Sequence, residues 1–433
     1  MGTLLEKLAG RQATVAIIGA GHVGLPLAVA FAQEGLRCIA LDKSRRKVQA
    51  IAAGRSYLDD VPSDELGPLV RAGRLRASSD EGVLAEADAV VVCVPTPLDK
   101  TKTPDLQYVV EAAQTIAAHQ HPGMLVVLES TTYPGTTTEV LVPRLTRGSY
   151  ELGEDVFIAY SPERVDPGNR RWHTRNTPKL IAGATPQCLE LATALYGMII
   201  ETLVPVSSPD TAELAKLLEN TFRQVNIALA NELALMARRL GVDIWEVIDA
   251  AATKPFGFMP FYPGPGLGGR CIPCAPLYLS WRMRSLEGEA RLIDLADLVN
   301  SAMPQHVVGL VRHALDRARQ SVNGSRLLVV GVAYKKDVPD YRGSPAQEVM
   351  ASLRAVGARV DYLDPHVPAL DGAGLERRSV PPDVCFADYD AIVILTDHSD
   401  IDYQRLLREA RLVVDTRNAL GTVPGDRRKI VKL

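Results

Sequence analysis

At 433 residues with 47% hydrophobic side chains, the chain reads as globular and too long for one core, so two or three domains are expected. A net charge of −3 gives no electrostatic reason for nucleic acid as a partner, and six cysteines, mostly in apolar or Gly/Pro-rich stretches, make no disulfide framework. A reducing, cytoplasmic setting is the expectation.

The first apolar stretch, Thr14–Phe31, follows Lys7 and Arg11 and has the outline of a signal-peptide core. Gly19, Gly21, Gly24 and Pro26 interrupt it, no small-residue cleavage site follows, and it is too short to cross a bilayer. It reads instead as strand, turn and helix, with no membrane association expected. Ala13–Ile18 is a β-branched run ending at a glycine, Leu25–Glu34 a helix closed by Gly35, and Arg37–Leu41 a second strand ending at Asp42. Ala89–Val94, Met124–Glu129, Val156–Tyr160 and Leu180–Ala182 are further buried-strand candidates with helical stretches between several of them, the pattern of parallel α/β units.

The texture changes at Pro209. Thr211–Leu240 keeps a helical apolar period up to Gly241, and Ile244–Ala252 follows Asp243 as cap. A Pro/Gly-rich loop from Lys254 to Pro276 precedes another helical run to about Ala302. Strand-like runs then return at Arg326–Val332, Arg359–Leu363, Ala391–Leu395 and Arg411–Val414, with a helix at Ser344–Val356. The predicted architecture is α/β: two Rossmann-type, doubly wound domains, residues 1–205 and 306–433, joined by a central helical part, 206–305. The second doubly wound unit lacks a full glycine fingerprint.

Gly19-Ala20-Gly21-His22-Val23-Gly24 stands between the first strand and its helix. The first glycine permits the tight turn, the second lets backbone approach a pyrophosphate, and the third allows close helix–strand packing. Asp42, at the end of the second strand, can accept ribose hydroxyls and repels a 2′-phosphate, which favours NAD over NADP. Lys43, Arg45 and Arg46 pull slightly the other way. Gly19, Gly21, His22, Val23, Gly24, Asp42 and Lys43 form the expected cofactor contacts of this segment, His22 having no catalytic part.

Pro263-Gly264-Pro265-Gly266-Leu267-Gly268-Gly269-Arg270-Cys271-Ile272-Pro273 has the backbone freedom to wrap a ligand and leave a thiol reachable. Arg270 would favour a thiolate at Cys271. Composition alone leaves open a structural cysteine in a tight loop. Cys274 completes a CxxC, but there is no second Cys/His pair, so no metal site is expected.

Taken together, several segments resemble the UDP-glucose/GDP-mannose dehydrogenase family over essentially the whole length, closest to its UDP-N-acetylglucosamine 6-dehydrogenase branch. They are Val94–Leu98, Glu129–Thr136, Ser161–Gly168, Glu213–Asn220, the Lys254–Pro276 loop, Ala333–Lys335, Asp340–Pro345 and Asp415–Asn418. The resemblance implies NAD-dependent oxidation of the C6 hydroxyl of a UDP-sugar to a uronic acid, with Cys271 carrying a thiohemiacetal and then a thioester. Lys216 matches the family lysine that stabilises oxyanion charge, Asn220 its amide partner, and Thr131 and Glu163 positions that hold or activate water. Pro95, Thr96 and Thr131 join the cofactor contacts. Glu163, Arg164, Val165, Lys216, Asn220, Phe261, Tyr262, Gly268, Lys335, Arg342 and Arg417 are the expected substrate contacts, Arg417 at the nucleotide phosphates. Val165–Gly168 and Phe256–Pro260 favour an N-acetylhexosamine over glucose.

Two departures stand beside the nucleophile. Ala275 occupies the place where the family usually has an aspartate, and Arg270 stands where the branch usually has histidine. Losing a positioned base typically costs roughly a hundred- to ten-thousandfold in rate. Compensation by Glu163 or a water chain, an altered or incomplete oxidation, and an introduced alanine that stalls turnover are the three accounts left open; a UDP-glucose dehydrogenase and a silent nucleotide-sugar binder are the competing functions. The long helix, with the resemblance, implies a homodimer or higher homo-oligomer.

Overall fold

A computed structural model describes residues 3–433 apart from Asp59, Lys100, Ser149, Pro167, Arg170, Arg270 and 372–376. Its contacts divide the chain into two compact units, Met1–Glu219 with Trp281–Glu287, and Asn220–Ser280 with Gly288–Leu433.

In the first unit, β1 (Thr14–Ile18), β2 (Arg37–Leu41), β3 (Leu75–Ser78), β4 (Ala89–Val92), β5 (Met124–Leu128), β6 (Val156–Tyr160), β7 (Lys179–Gly183) and β8 (Leu203–Pro205) form one sheet in the order β3-β2-β1-β4-β5-β6-β7-β8. The first six run parallel in the doubly wound order 3-2-1-4-5-6; β7 turns antiparallel to its neighbour β6, and β8 runs parallel to β7. The central strands are largely apolar because helices cover both faces: Val15 and Ile17 enter one core, Ala16 the other.

In the second unit, β9 (Arg326–Val330), β10 (Arg359–Leu363), the short pair β11 (Ala369–Leu370) and β12 (Arg377–Arg378), β13 (Ala391–Ile394), β14 (Val413–Asp415) and β15 (Ile430–Lys432) include a five-stranded parallel sheet ordered β10-β9-β13-β14-β15. Leu327 and Val329 pack on one side, Leu328 and Val330 on the other. Both sheets are doubly wound, as the sequence pattern predicts.

A helix of 32 residues, Pro209–Leu240, carries the division between the units within it. The Pro/Gly-rich segment ends earlier than expected, because Cys271–Ser285 is helical. The next helix, Arg291–Arg317, runs well past Ala302 and through Pro304.

Candidate active site

In the first unit the strand β1 delivers the chain into the glycine turn. Gly19 has φ +99°, and a Cβ there would stand 2.5 Å from the Cys93 carbonyl oxygen. A Cβ on Gly24 would meet the Gly19 carbonyl at 2.0 Å, so this glycine serves helix–strand packing. Gly21 differs: nothing lies within 4 Å of an added Cβ, leaving open space above the backbone where a pyrophosphate can approach. Asp42 sits after β2 with Oδ2 accepting from the Ala20 N–H at 2.9 Å and Oδ1 from the Ser44 N–H at 2.8 Å. The residues present therefore fit a dinucleotide. His22 is exposed, Val23 is half-buried, and Lys43 reaches Glu111 at 2.7 Å rather than Asp42. Lys47, unanticipated from sequence, is the cation at Asp42, at 2.8 Å. It stands five residues on, in the helix Arg45–Ala52, a pairing visible only once strand and helix are placed.

The loops after β4 and β5 meet at the same sheet edge. Thr96 donates its hydroxyl to the Thr131 carbonyl at 2.8 Å, while Pro95 is exposed. After β6, Glu163 folds onto its own loop: Oε1 accepts the N–H groups of Arg164 and Val165 at 2.7 and 2.6 Å. The Arg164 guanidinium bonds the Pro178 carbonyl and pairs with Glu219, both at 2.7 Å.

Beneath this edge lies a buried polar network the sequence did not announce. The reversal of β7 places Lys179, its first residue, beyond the carboxyl end of β6. There its ammonium pairs with Glu129 at 2.9 Å and donates to the Pro162 carbonyl at 3.0 Å, next to Glu163. Tyr196 donates to the other Glu129 oxygen at 2.6 Å. Burial pushes the Glu129 carboxyl up to about 7, against the pull of Lys179. Burial alone would lower the Lys179 ammonium, yet the Glu129 carboxylate holds it above its ordinary value. Glu213, at the start of the long helix, accepts from the Gly135 and Thr137 N–H groups and the Thr137 hydroxyl at 2.7–2.9 Å. Burial also pushes its carboxyl up to about 7.

Lys216 and Asn220 follow one turn apart on the long helix, and both are buried. The Asn220 Nδ2 has no hydrogen-bond partner.

In the second unit Cys271 is exposed as the first residue of its helix, so it is not a buried structural thiol in a loop. Arg270 lies outside the described residues. Cys274 is half-buried on the same helix, and Ala275 is buried, 2% exposed. The preceding loop is tied down along its length. Phe261 packs edge-on against Phe222, and Tyr262 stacks on Trp245 with its hydroxyl donating to Asp249 at 2.7 Å. The Gly264 N–H donates to Asn231, and a Cβ at Gly264 would stand 2.4 Å from the Arg417 guanidinium. Gly268 lies so close to Tyr334 that a Cβ would meet its side chain at 2.6 Å.

Arg417, just beyond β14, donates Nε–H to the Leu395 carbonyl at 3.0 Å, and burial lowers its guanidinium pKa. It is a half-buried, partly desolvated cation beside the glycine loop at the carboxyl ends of β13 and β14, where ligands bind in such sheets. Lys335, after β9, is half-buried, and Arg342 forms a two-pronged pair with Asp340 at 2.8 and 2.7 Å. Asp337, His366 and His398 also gather here, their ligand atoms within 4.8 Å of one another. His398 is already committed, Nδ1 accepting the Asp337 N–H and Nε2 bonded to Asp364, both at 3.0 Å, which ties the ends of β9, β10 and β13 together. Among the described residues no helix is long and apolar enough to cross a membrane.

Three family models match in succession: the UDP-glucose/GDP-mannose dehydrogenase family NAD binding domain at residues 13–200, its central domain at 210–302 and its UDP binding domain at 328–422. The UDP-N-acetyl-D-glucosamine 6-dehydrogenase of Pseudomonas aeruginosa is 35% identical over 391 residues, covering 89% of this chain and 90% of that protein. An NDP-N-acetyl-D-galactosaminuronic acid dehydrogenase of Ralstonia solanacearum is 35% identical, covering 93% and 95%. The solved UDP-D-ManNAc dehydrogenase of Pyrococcus horikoshii superposes with a TM-score of 0.87 at 31% identity, over 97% of this chain and 98% of that one. With its NAD-binding and UDP-binding domains both present, the chain belongs to the UDP-glucose/GDP-mannose dehydrogenase family.

Proposed function

We propose that the protein oxidises the C6 hydroxyl of a UDP-N-acetylhexosamine, with Cys271 as covalent catalyst. In this reading residues 1–205 bind the dinucleotide, 206–305 carry the cysteine loop and the subunit contacts, and 306–433 hold the UDP. The observation that carries it is the exposed Cys271 at the start of a helix of 15 residues, directly after a glycine loop packed on the half-buried Arg417. Unsatisfied N–H groups at a helix start favour negative charge, which suits a thiolate and the oxyanion formed on it.

Bound NAD, held by Gly19, Gly21, Gly24 and Asp42, supplies the hydride acceptor for each oxidation. The Cys271 sulfur adds to the C6 aldehyde, and Lys216 and Asn220 stabilise the oxyanion of the resulting thiohemiacetal. After the second oxidation, water held by Thr131 and Glu163 attacks the thioester, the C–S bond breaks, and the thiol returns. Overall RCH2OH, 2 NAD+ and water give RCOO−, 2 NADH and three protons. Glu163 faces its own loop through Oε1, which leaves its other oxygen for that water. Lys335, Arg342 and Arg417 take the diphosphate side of the substrate.

Ala275 offers no base, so we infer that NAD and UDP-sugar bind normally while release of the acid is slow. The experiment is NADH release with UDP-N-acetylglucosamine and UDP-glucose, with mass spectrometry of the product. Two NADH per sugar at a turnover above about 10 per second refutes the part given to Ala275. No NADH from any UDP-sugar, with wild type or a Cys271→Ser control, refutes the oxidation itself.

A homodimer through the long helix is part of the proposal. Leu214, Leu218, Phe222, Leu229, Leu233, Met236 and Leu240 are all exposed on it at spacings of three, four and seven, an apolar stripe that a second copy would cover.

A further inference from the structure

A cavity of about 350 Å³ in the second unit is walled by the long helix, the segment around Cys271, the helix Arg291–Arg317 and the start of the helix Pro345–Ala355. Its size suits one sugar-sized group. Gln224 forms part of the wall, is 1% exposed, and among the described residues has no hydrogen-bond partner for either Oε1 or Nε2. A buried amide with both ends unpaired is costly, and such a group calls for a partner the free protein does not supply. Its neighbour Asn300 is engaged elsewhere: Oδ1 accepts from Asn231 at 2.9 Å, and Nδ2 donates to the Gln224 main-chain oxygen at 3.2 Å.

The rest of the lining narrows the chemistry. Asp297 and Glu348 contribute carboxylates, which disfavour a diphosphate and leave the uncharged parts of a nucleotide sugar. Leu267 and Pro273 lie on either side of Cys271 in the chain, so the cavity adjoins the segment that bears the thiol. Gln224 also follows Asn220 by one helical turn, on the same face.

We propose that Gln224 is the specificity residue for the acetamido group. Its Nε2 donates to the acetamido carbonyl, and its Oε1 accepts from the adjacent C3 hydroxyl. The inference rests on the dehydrogenase reading above and names what makes that site prefer an N-acetylhexosamine to a plain hexose. A hexose with only a hydroxyl at C2 keeps the C3 contact but brings no acetamido carbonyl to Nε2.

The test is calorimetric binding of UDP-N-acetylglucosamine, UDP-glucose and UDP to wild type, Gln224→Leu and Gln224→Glu. Leucine removes an unpaired buried polar group, so the melting temperature should hold. Both variants should weaken UDP-N-acetylglucosamine by about tenfold more than UDP-glucose, one hydrogen bond's worth, while UDP changes less than about twofold. Unchanged binding of UDP-N-acetylglucosamine overturns the proposal. Equal weakening of all three ligands also overturns it and moves Gln224 to the uracil edge, the other amide-like group of the substrate. If wild type binds none of the three, the dehydrogenase reading falls and takes this one with it. Retained binding without altered selectivity sinks the role of Gln224 alone.

Discussion

Replacing Lys179 by Met leaves Glu129 as an uncompensated carboxyl with no exposed side-chain surface. Removing one partner of a buried pair costs roughly 3–5 kcal/mol, and loss of the bond to the Pro162 carbonyl adds about 1 kcal/mol. The sign with pH follows from the direction of the Glu129 shift. Its folded value, about 7, lies above the ordinary 4.5, so the protonated carboxyl favours the fold, and stability is lost as pH rises from about 4.5 through 7. Without Lys179 that value climbs further. The penalty in Lys179→Met should therefore be small at pH 5 and near its full size at pH 8. Urea denaturation at the two pH values measures it, with Trp172 and Trp281 as reporters in this unit. Glu129→Gln added to Lys179→Met should recover most of the loss at pH 8, because the buried charge is gone. Equal midpoints for wild type and Lys179→Met at pH 8, or no recovery in the double variant, would refute the reasoning.

Two glycines of the fingerprint should part ways. Gly24→Ala drives a Cβ to 2.0 Å from a carbonyl oxygen and should lower stability by about 1–3 kcal/mol, seen as a lower melting temperature. Gly21→Ala meets nothing in the free protein and should leave that temperature unchanged, yet weaken NAD in calorimetry by more than about tenfold. Ala275→Asp is expected to speed acid release by about a hundredfold or more in single-turnover mass spectrometry, and an unchanged rate would remove Ala275 from the account. Leu218→Asp with Leu233→Asp should convert a dimer to a monomer in sedimentation velocity. An unaltered mass would place the subunit contact elsewhere.

Much of the fold was legible because its strands are apolar runs ending in glycine or a polar residue, as at Ile18, Leu41 and Val330. The strands the sequence concealed are short ones at sheet edges. Leu75–Ser78, Leu203–Pro205 and Ile430–Lys432 have three or four residues each and half-exposed or charged side chains, which give no alternation to detect. Prolines misled twice. Pro273 falls in the first turn of its helix, where the missing N–H has no partner to lose, and Pro276 and Pro304 are tolerated within long helices held by packing. At the site, residue types within one short segment were readable, such as the glycine turn and the cysteine loop. Partnerships across the fold were not: Lys179 meets Glu129 from fifty residues away, and nothing in either segment names the other.

In the proposed site, Arg417 sets where the nucleotide's binding energy comes from. Its guanidinium sheds part of its water when the second unit folds, so that share of the cost falls on the ligand-free protein and not on the act of binding. An anion arriving there meets a cation already partly stripped and held in place, and dissolved salt screens such a pair less than it screens surface charges. Nucleotide affinity should then vary weakly with ionic strength. The empty protein bears the strain, which makes its second unit the one that gains most in thermal resistance when UDP is present.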